Sequence, residues 1–275
     1  MSVTQLVPQD DTYTRFEARL ESGDLNLPLL PKVAAQVIQL TSDQDADSQQ
    51  LAKLIQGDQT LTGHVMRMAN SAAFRPASPF VSLQQATARL GMRTISEIVL
   101  ATSLNSKLFP LPGRQDLLQK YWHDSLSISV WSREIARMRR TNVESSFLAG
   151  LLCEIGKPVV LQTLLEGEFV DPADDTRIDN FVSKYQKVAG MILVTRWELP
   201  DVVGCVISET AAEGKDDHLE TMLNVEGASA LVQGGSDVYG LSESLLSRLN
   251  FYPEDLETLE ELKTVVNEWL EAVAD

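Results

Sequence analysis

The stretch from Val143 to Gly156, Val-Glu-Ser-Ser-Phe-Leu-Ala-Gly-Leu-Leu-Cys-Glu-Ile-Gly, constrains the fold of this chain more than any other. Val143, Phe147, Leu148, Leu151, Leu152 and Ile155 recur at three- and four-residue spacing, the period of one helix face. Ala149, Gly150 and Cys153 lie on the other side and are all small. A second helix can approach closely where no large side chain intervenes, so both sides of this helix are expected to be covered. The segment predicts a central helix within a helical core.

The rest of the chain repeats that period, and strand-like alternation is scarce. The pattern predicts a short helix over Thr12–Leu20, stopped at Gly23. A helix then starts at Pro31, with Val33, Val37, Ile38 and Leu40 inward; proline in the first turn costs nothing there. Ser48 and Asp58 can cap the next two helices. Ser82 opens another, which ends at Gly91, and a further one runs from Thr94 or Ser96 to Leu104. Residues 108–115 carry two prolines and a glycine and read as a junction. A long helix follows over about Asp116–Arg139, and later ones over about 178–196, 200–212, 218–233 and 254–272. The expected class is all-α, a two-lobed helical bundle.

Charge narrows the partners. Acids outnumber bases 39 to 23, a net charge of −16 over 275 residues. Residues 201–275 hold 17 acids against Lys215, Arg248 and Lys263, so almost all of the excess lies there. Such a surface repels phosphate backbones and speaks against nucleic acid. It would draw in a basic protein surface, though a merely solvated face has the same composition. The apolar runs are shorter than the roughly 20 residues that a membrane-spanning helix needs. The first sixteen residues have neither a basic start nor an apolar stretch, so no secretory signal is expected. With two cysteines, Cys153 and Cys205, the chain reads as cytoplasmic, with reduced thiols.

Several segments carry a resemblance. They are Leu27-Pro-Leu-Leu-Pro-Lys-Val-Ala34, Ile55-Gln-Gly-Asp-Gln-Thr-Leu-Thr62 and Val65-Met-Arg-Met-Ala-Asn-Ser-Ala-Ala-Phe74. After them come Val81-Ser-Leu-Gln-Gln-Ala-Thr-Ala-Arg-Leu-Gly91, Tyr121-Trp-His-Asp-Ser125, Phe147 to Lys157 and Trp197-Glu-Leu-Pro200. In order and spacing, over roughly residues 25–235, they resemble the HDOD domain family, the non-catalytic relatives of HD-type metal-dependent phosphohydrolases. The resemblance implies an HD-like helical core in the second lobe and a role in signal transduction. It divides the chain into an N-terminal extension with a short helix (1–23), an HDOD-like domain (24–235; lobes 24–110 and 114–235) and an acidic C-terminal helical extension (236–275).

The resemblance also locates a degenerate site. HD enzymes hold metal with His and Asp so that a bound water becomes nucleophilic. Where the paired His-Asp is expected, before Ile-Gly, this chain has Cys153-Glu154. The ligand position before Ser125 is Asp124; His123 is displaced by one residue and faces elsewhere on the helix. The later ligand positions fall near Gln186, Glu209 and Ser229. The three histidines, His64, His123 and His218, show no ligand-pair spacing. No metal, no cofactor and no catalytic residue are therefore expected. Asp124, Cys153, Glu154, Gln186, Glu209 and Ser229 remain as a vestigial site.

Plainer readings accompany these residues. Cys153 is a small packing residue, as free cysteine commonly is, and Glu154 pairs with a base such as Lys157. Arg133, Arg137, Arg139 and Arg140 form a basic helix end that could bind phosphate or offset the helix dipole. Leu262, Val265, Val266, Trp269, Leu270 and Val273 form a terminal stripe to be buried against the chain's own body, a partner or a second copy. The expectation is a non-enzymatic regulator or adaptor acting through an unidentified protein partner with a basic surface. The alternatives are a nucleotide sensor using the old cleft, or a residual phosphohydrolase.

Overall fold

The computed structural model describes residues 11–41, 43, 46–74, 76–210 and 214–274, and no strand occurs among them. The expectation for the first ten residues lies outside the described residues. The helices are α1 (Asp11–Ser22), α2 (Lys32–Thr41), α3 (Ser48–Gln56), α4 (Gln59–Ala69), α5 (Leu83–Ser103), α6 (Gln115–Arg139) and α7 (Val143–Leu152). They continue with α8 (Gly156–Glu166), α9 (Asp175–Arg196), α10 (Asp201–Ser208), α11 (Asp216–Gln233), α12 (Glu243–Leu249) and α13 (Pro253–Ala274).

Local chemistry sets most boundaries. Asp58 and Ser82 cap α4 and α5 through their side chains, as their positions predict. Asp47 rather than Ser48 caps α3: it accepts from Gln49 and Gln50, while the Gln50 side chain returns to the Asp47 amide. A carboxylate that satisfies two orphan amides and receives a reciprocal bond outcompetes a hydroxyl one residue later. Gly91, at φ +85 and ψ 158, is non-helical, so α5 comprises two helices that meet at this glycine, as the sequence predicts. The helix expected over 200–212 stops at Ser208, where Glu209 takes the left-handed conformation. Two elements were not expected: the 143–155 stripe breaks after Leu152 and resumes as α8, and α12 forms between α11 and α13.

Two lobes result. Helices α2 to α5 pack on one another, with Val37, Leu51, Ile55, Val65 and Ile98 at the centre. Helices α6 to α11 form the second, HD-like lobe, in which α6 lies against α7 and α11, and α8 against α9. The small face of α7 meets α6: a Cβ on Gly150 would come within 2.8 Å of the Ser129 Cα. Val143–Glu166 is apolar enough on average to cross a membrane, but it comprises α7 and α8, and 72% of its apolar window is buried among other helices.

Helix α1 packs on the second lobe, and α13 spans both lobes. Tyr13 of α1 stacks on Phe181 of α9 at 4.2 Å, and Phe16 meets Phe169, Phe181 and Tyr185. Helix α13 lies over α6, α4 and α5. The terminal stripe is thus covered by the chain's own body: Val266, Trp269 and Leu270 are buried, whereas Val265 is exposed rather than inward. Beneath Trp269, Arg133 of α6 bonds Glu97 of α5 at 2.9 Å and Glu134 at 2.7 Å, all three side chains being buried. Burial pushes the Glu97 carboxyl upward, and the Arg133 charge only partly opposes it.

Candidate functional site

Five of the six expected vestigial positions meet in one place. Cys153 and Glu154 follow α7, Gln186 lies on α9, Glu209 ends α10 and Ser229 lies on α11; all line a cleft of about 640 Å³. Helix α12 completes the wall through Leu245 and Arg248. Asp124 is half-buried on α6 and is not part of this lining. The other lining residues, among them Lys187, Met222, Glu226 and Arg248, were not singled out in the sequence, although Lys187 adjoins Gln186 and was within reach of the same reasoning.

One glycine makes this gathering possible. A Cβ on Gly156 would fall 1.8 Å from the Gln186 carbonyl oxygen and 2.7 Å from the Gly190 amide nitrogen. The start of α8 therefore touches the backbone of α9, and Glu154 and Gln186 are drawn to one rim. Gly190 itself leaves room for Ile207 of α10, whose side chain would meet a Cβ there at 3.0 Å.

The charged side chains of the cleft are paired with one another or with Lys157. Glu154 pairs with Lys157 at 2.5 Å, as its spacing suggested. Lys187 pairs with Glu209 at 2.6 Å, and Arg248 makes a two-pronged pair with Glu226. The Cys153 thiol donates to the Gly150 carbonyl at 3.1 Å; burial pushes its pKa up, and the Glu154 charge pushes it the same way. Such a thiol resists ionisation, which both nucleophilic attack and metal ligation require.

Glu154 also faces a second, small crevice of about 30 Å³ on the α6 side, beside Tyr121, Trp122 and Ser125. Three buried polar atoms there have no protein hydrogen-bond partner: Tyr121 Oη, Trp122 Nε1 and Glu154 Oε2. Burial drives the Tyr121 phenol upward, so it stays protonated.

The donor set does not fit the metal centre that HD enzymes carry. No group of three His, Cys, Asp or Glu is placed to hold an ion among the described residues. His64, His123 and His218 lie on α4, α6 and α11, and His123 is exposed, consistent with the one-residue displacement. At the basic end of α6, three of the four arginines are engaged within the protein. Arg133 and Arg137 bond Glu134, and Arg139 bonds Glu220, Asn224 and the Leu249 carbonyl.

An all-helical, two-lobed architecture with a cleft lined by Cys153 and Glu154 defines the class. The HDOD domain family model matches residues 27–212, and the chain belongs to that family. Among curated proteins none matches the sequence significantly. Three solved structures share the fold. One, a candidate metal-dependent phosphohydrolase from Shewanella amazonensis SB2B, is 18% identical with a TM-score of 0.70, covering 96% of this chain and 100% of that one. An HDOD domain protein of unknown function from Geobacter sulfurreducens is 19% identical at 0.68, covering 96% and 99%. A candidate signal transduction protein from Marinobacter aquaeolei VT8 is 18% identical at 0.69, covering 96% of this chain but 65% of that one.

Proposed function

We propose that this chain is a non-catalytic signalling regulator of the bacterial cytoplasm that works by binding another protein. One observation carries the reading. At the place where an HD enzyme gathers metal ligands, this chain gathers a protonated thiol, an amide, a hydroxyl and carboxylates already held by Lys157, Lys187 and Arg248. Neutral or internally paired groups cannot readily strip a hydrated divalent cation or activate its water. Membership of the HDOD family, and a fold shared with a candidate signal transduction protein, support the signalling role.

The acidic surface supports a basic partner. All three bases of residues 201–275 are engaged by acids of the same stretch: Lys215 with Asp201, Arg248 with Glu226 and Lys263 with Glu260. None is left to offset the remaining charge, so encounter with a basic surface is accelerated and falls with salt. The cleft volume favours a second reading, a small-molecule sensor, because it lies in the range of about 300–1,000 Å³ typical of ligand pockets.

The test is metal analysis of the purified full chain, with a phosphodiesterase assay on cyclic dinucleotides in manganese, magnesium and zinc. Substoichiometric metal and no turnover are expected. Stoichiometric metal with turnover that disappears in Cys153→Ala or Asp124→Ala would overturn the regulator reading. Thermal-shift screening with nucleotides separates the sensor, since a ligand at 100 times its Kd adds about 2.7 kcal/mol of stability.

A further inference from the structure

The two cysteines occupy opposite chemical settings. Cys153, half-buried in the cleft wall, donates its thiol proton to the Gly150 carbonyl and has no histidine beside it among the hydrogen bonds of the described residues. Cys205, half-buried on α10, has its Sγ 3.4 Å from Nδ1 of His218 in the first turns of α11. Thirteen residues separate them, and the packing of α10 on α11 closes that gap. Asp201, in the first turn of α10, pairs with Lys215 at 3.0 Å and lies close enough to feel the imidazole. A pocket of about 390 Å³, lined by Gly214 to His218, opens directly on the histidine. The pair is separate from the cleft described above, whose lining takes the neighbouring Val206, Ile207 and Leu219 instead.

We propose that Cys205 is a modifiable thiol with His218 as its base, and that it is thiolated by low-molecular-weight disulfides of the glutathione class. A thiol within reach of an imidazole is the arrangement that generates a nucleophilic thiolate. His218 Nδ1 accepts the Sγ proton, and the thiolate attacks one sulfur of the disulfide. The reagent's S–S bond breaks as the new bond to Cys205 forms. The departing thiolate leaves with the electron pair and takes the proton from the His218 imidazolium. Cys205 is oxidised, the departing half is reduced, and no further oxidant is required.

The surroundings leave His218 as the base. Asp201 and Lys215 already neutralise each other, and Asp216 and Asp217 share the helical turn of His218. Across the packed elements, Lys187 of α9 is held by Glu209, and Glu154 at the end of α7 by Lys157. The adduct would sit at the seam of α10 and α11, two helices that also wall the cleft, so thiolation alters a surface next to the proposed regulatory site.

The experiment incubates the full chain with oxidised glutathione over roughly pH 5 to 9 and maps adducts by mass spectrometry. Cys205 should be modified at least about tenfold faster than Cys153. His218→Gln should slow Cys205 by about tenfold near neutral pH and alter the pH dependence of its rate. Equal or faster modification of Cys153, no adduct at Cys205, or a His218→Gln rate and pH profile like the wild type would each overturn the proposal. Site mapping on the wild-type chain decides it even where a variant fails to fold.

Discussion

Gly156 and Gln186 are in backbone contact: a single methyl on the glycine would lie 1.8 Å from the Gln186 carbonyl oxygen. Real Cβ atoms do not approach that closely, and the obstacle is backbone of a buried helix rather than a side chain that can rotate away. The contact joins α8 to α9 and forms the rim where Glu154 meets Gln186.

Gly156→Ala should therefore cost at least about 3 kcal/mol, toward the upper end for overpacking, because one helix must move off the other. Urea denaturation of the full chain measures it. A cost below about 1 kcal/mol would contradict the close approach. Gly23→Ala, in open space with φ +67, should cost less, through backbone strain alone.

Arg133 is the one guanidinium that both buried carboxylates share beneath Trp269. Removing it in Arg133→Met should cost about 3–5 kcal/mol, because buried Glu97 loses its Arg133 partner while Glu134 keeps only Arg137. Glu97→Gln should cost less, about 1–2 kcal/mol, since burial already favours the neutral carboxyl. The order of the two unfolding free energies is the test, and a costlier Glu97→Gln would refute it.

Trp269 anchors α13 on the second lobe, edge-on to Phe147 at 5.8 Å and with Arg133 5.3 Å from its ring centre. Trp269→Ala should lose about 3–5 kcal/mol. Trp269→Phe, which keeps most of the apolar contact, should recover the greater part. Thermal unfolding of the two variants beside the wild type checks this.

Acid should loosen α1. The Tyr185 hydroxyl, and then Lys184, hold the Glu17 carboxyl below its usual value. The resulting stabilisation is present above the unfolded value near ~4.3 and is lost as pH falls through the lower folded value. A carboxyl NMR titration of Glu17 should give a midpoint below that of a solvated glutamate. Tyr185→Phe should raise it, and an unchanged midpoint would show that the bond carries nothing.

Much of this protein was legible in its residue order, because helix formation and capping are local. The period of Phe147, Leu148, Leu151 and Leu152 determined a buried helix, and the small Gly150 side foretold the approach of α6. Asp58 and Ser82 marked two helix starts, since a side-chain oxygen needs only the amides two or three residues ahead. The pairing of Glu154 with Lys157, one turn away, could also be read directly. Tertiary structure decided what depends on elements distant in sequence. It brought Gln186, Glu209 and Ser229 to Cys153-Glu154 while leaving Asp124 outside the cleft. It turned Val265 outward, paired Arg133 with Glu97 across 36 residues and set Cys205 against His218. Periodicity determines which face of a helix is buried; which side chains meet there depends on how neighbouring helices cross, and that is settled only when the whole core closes.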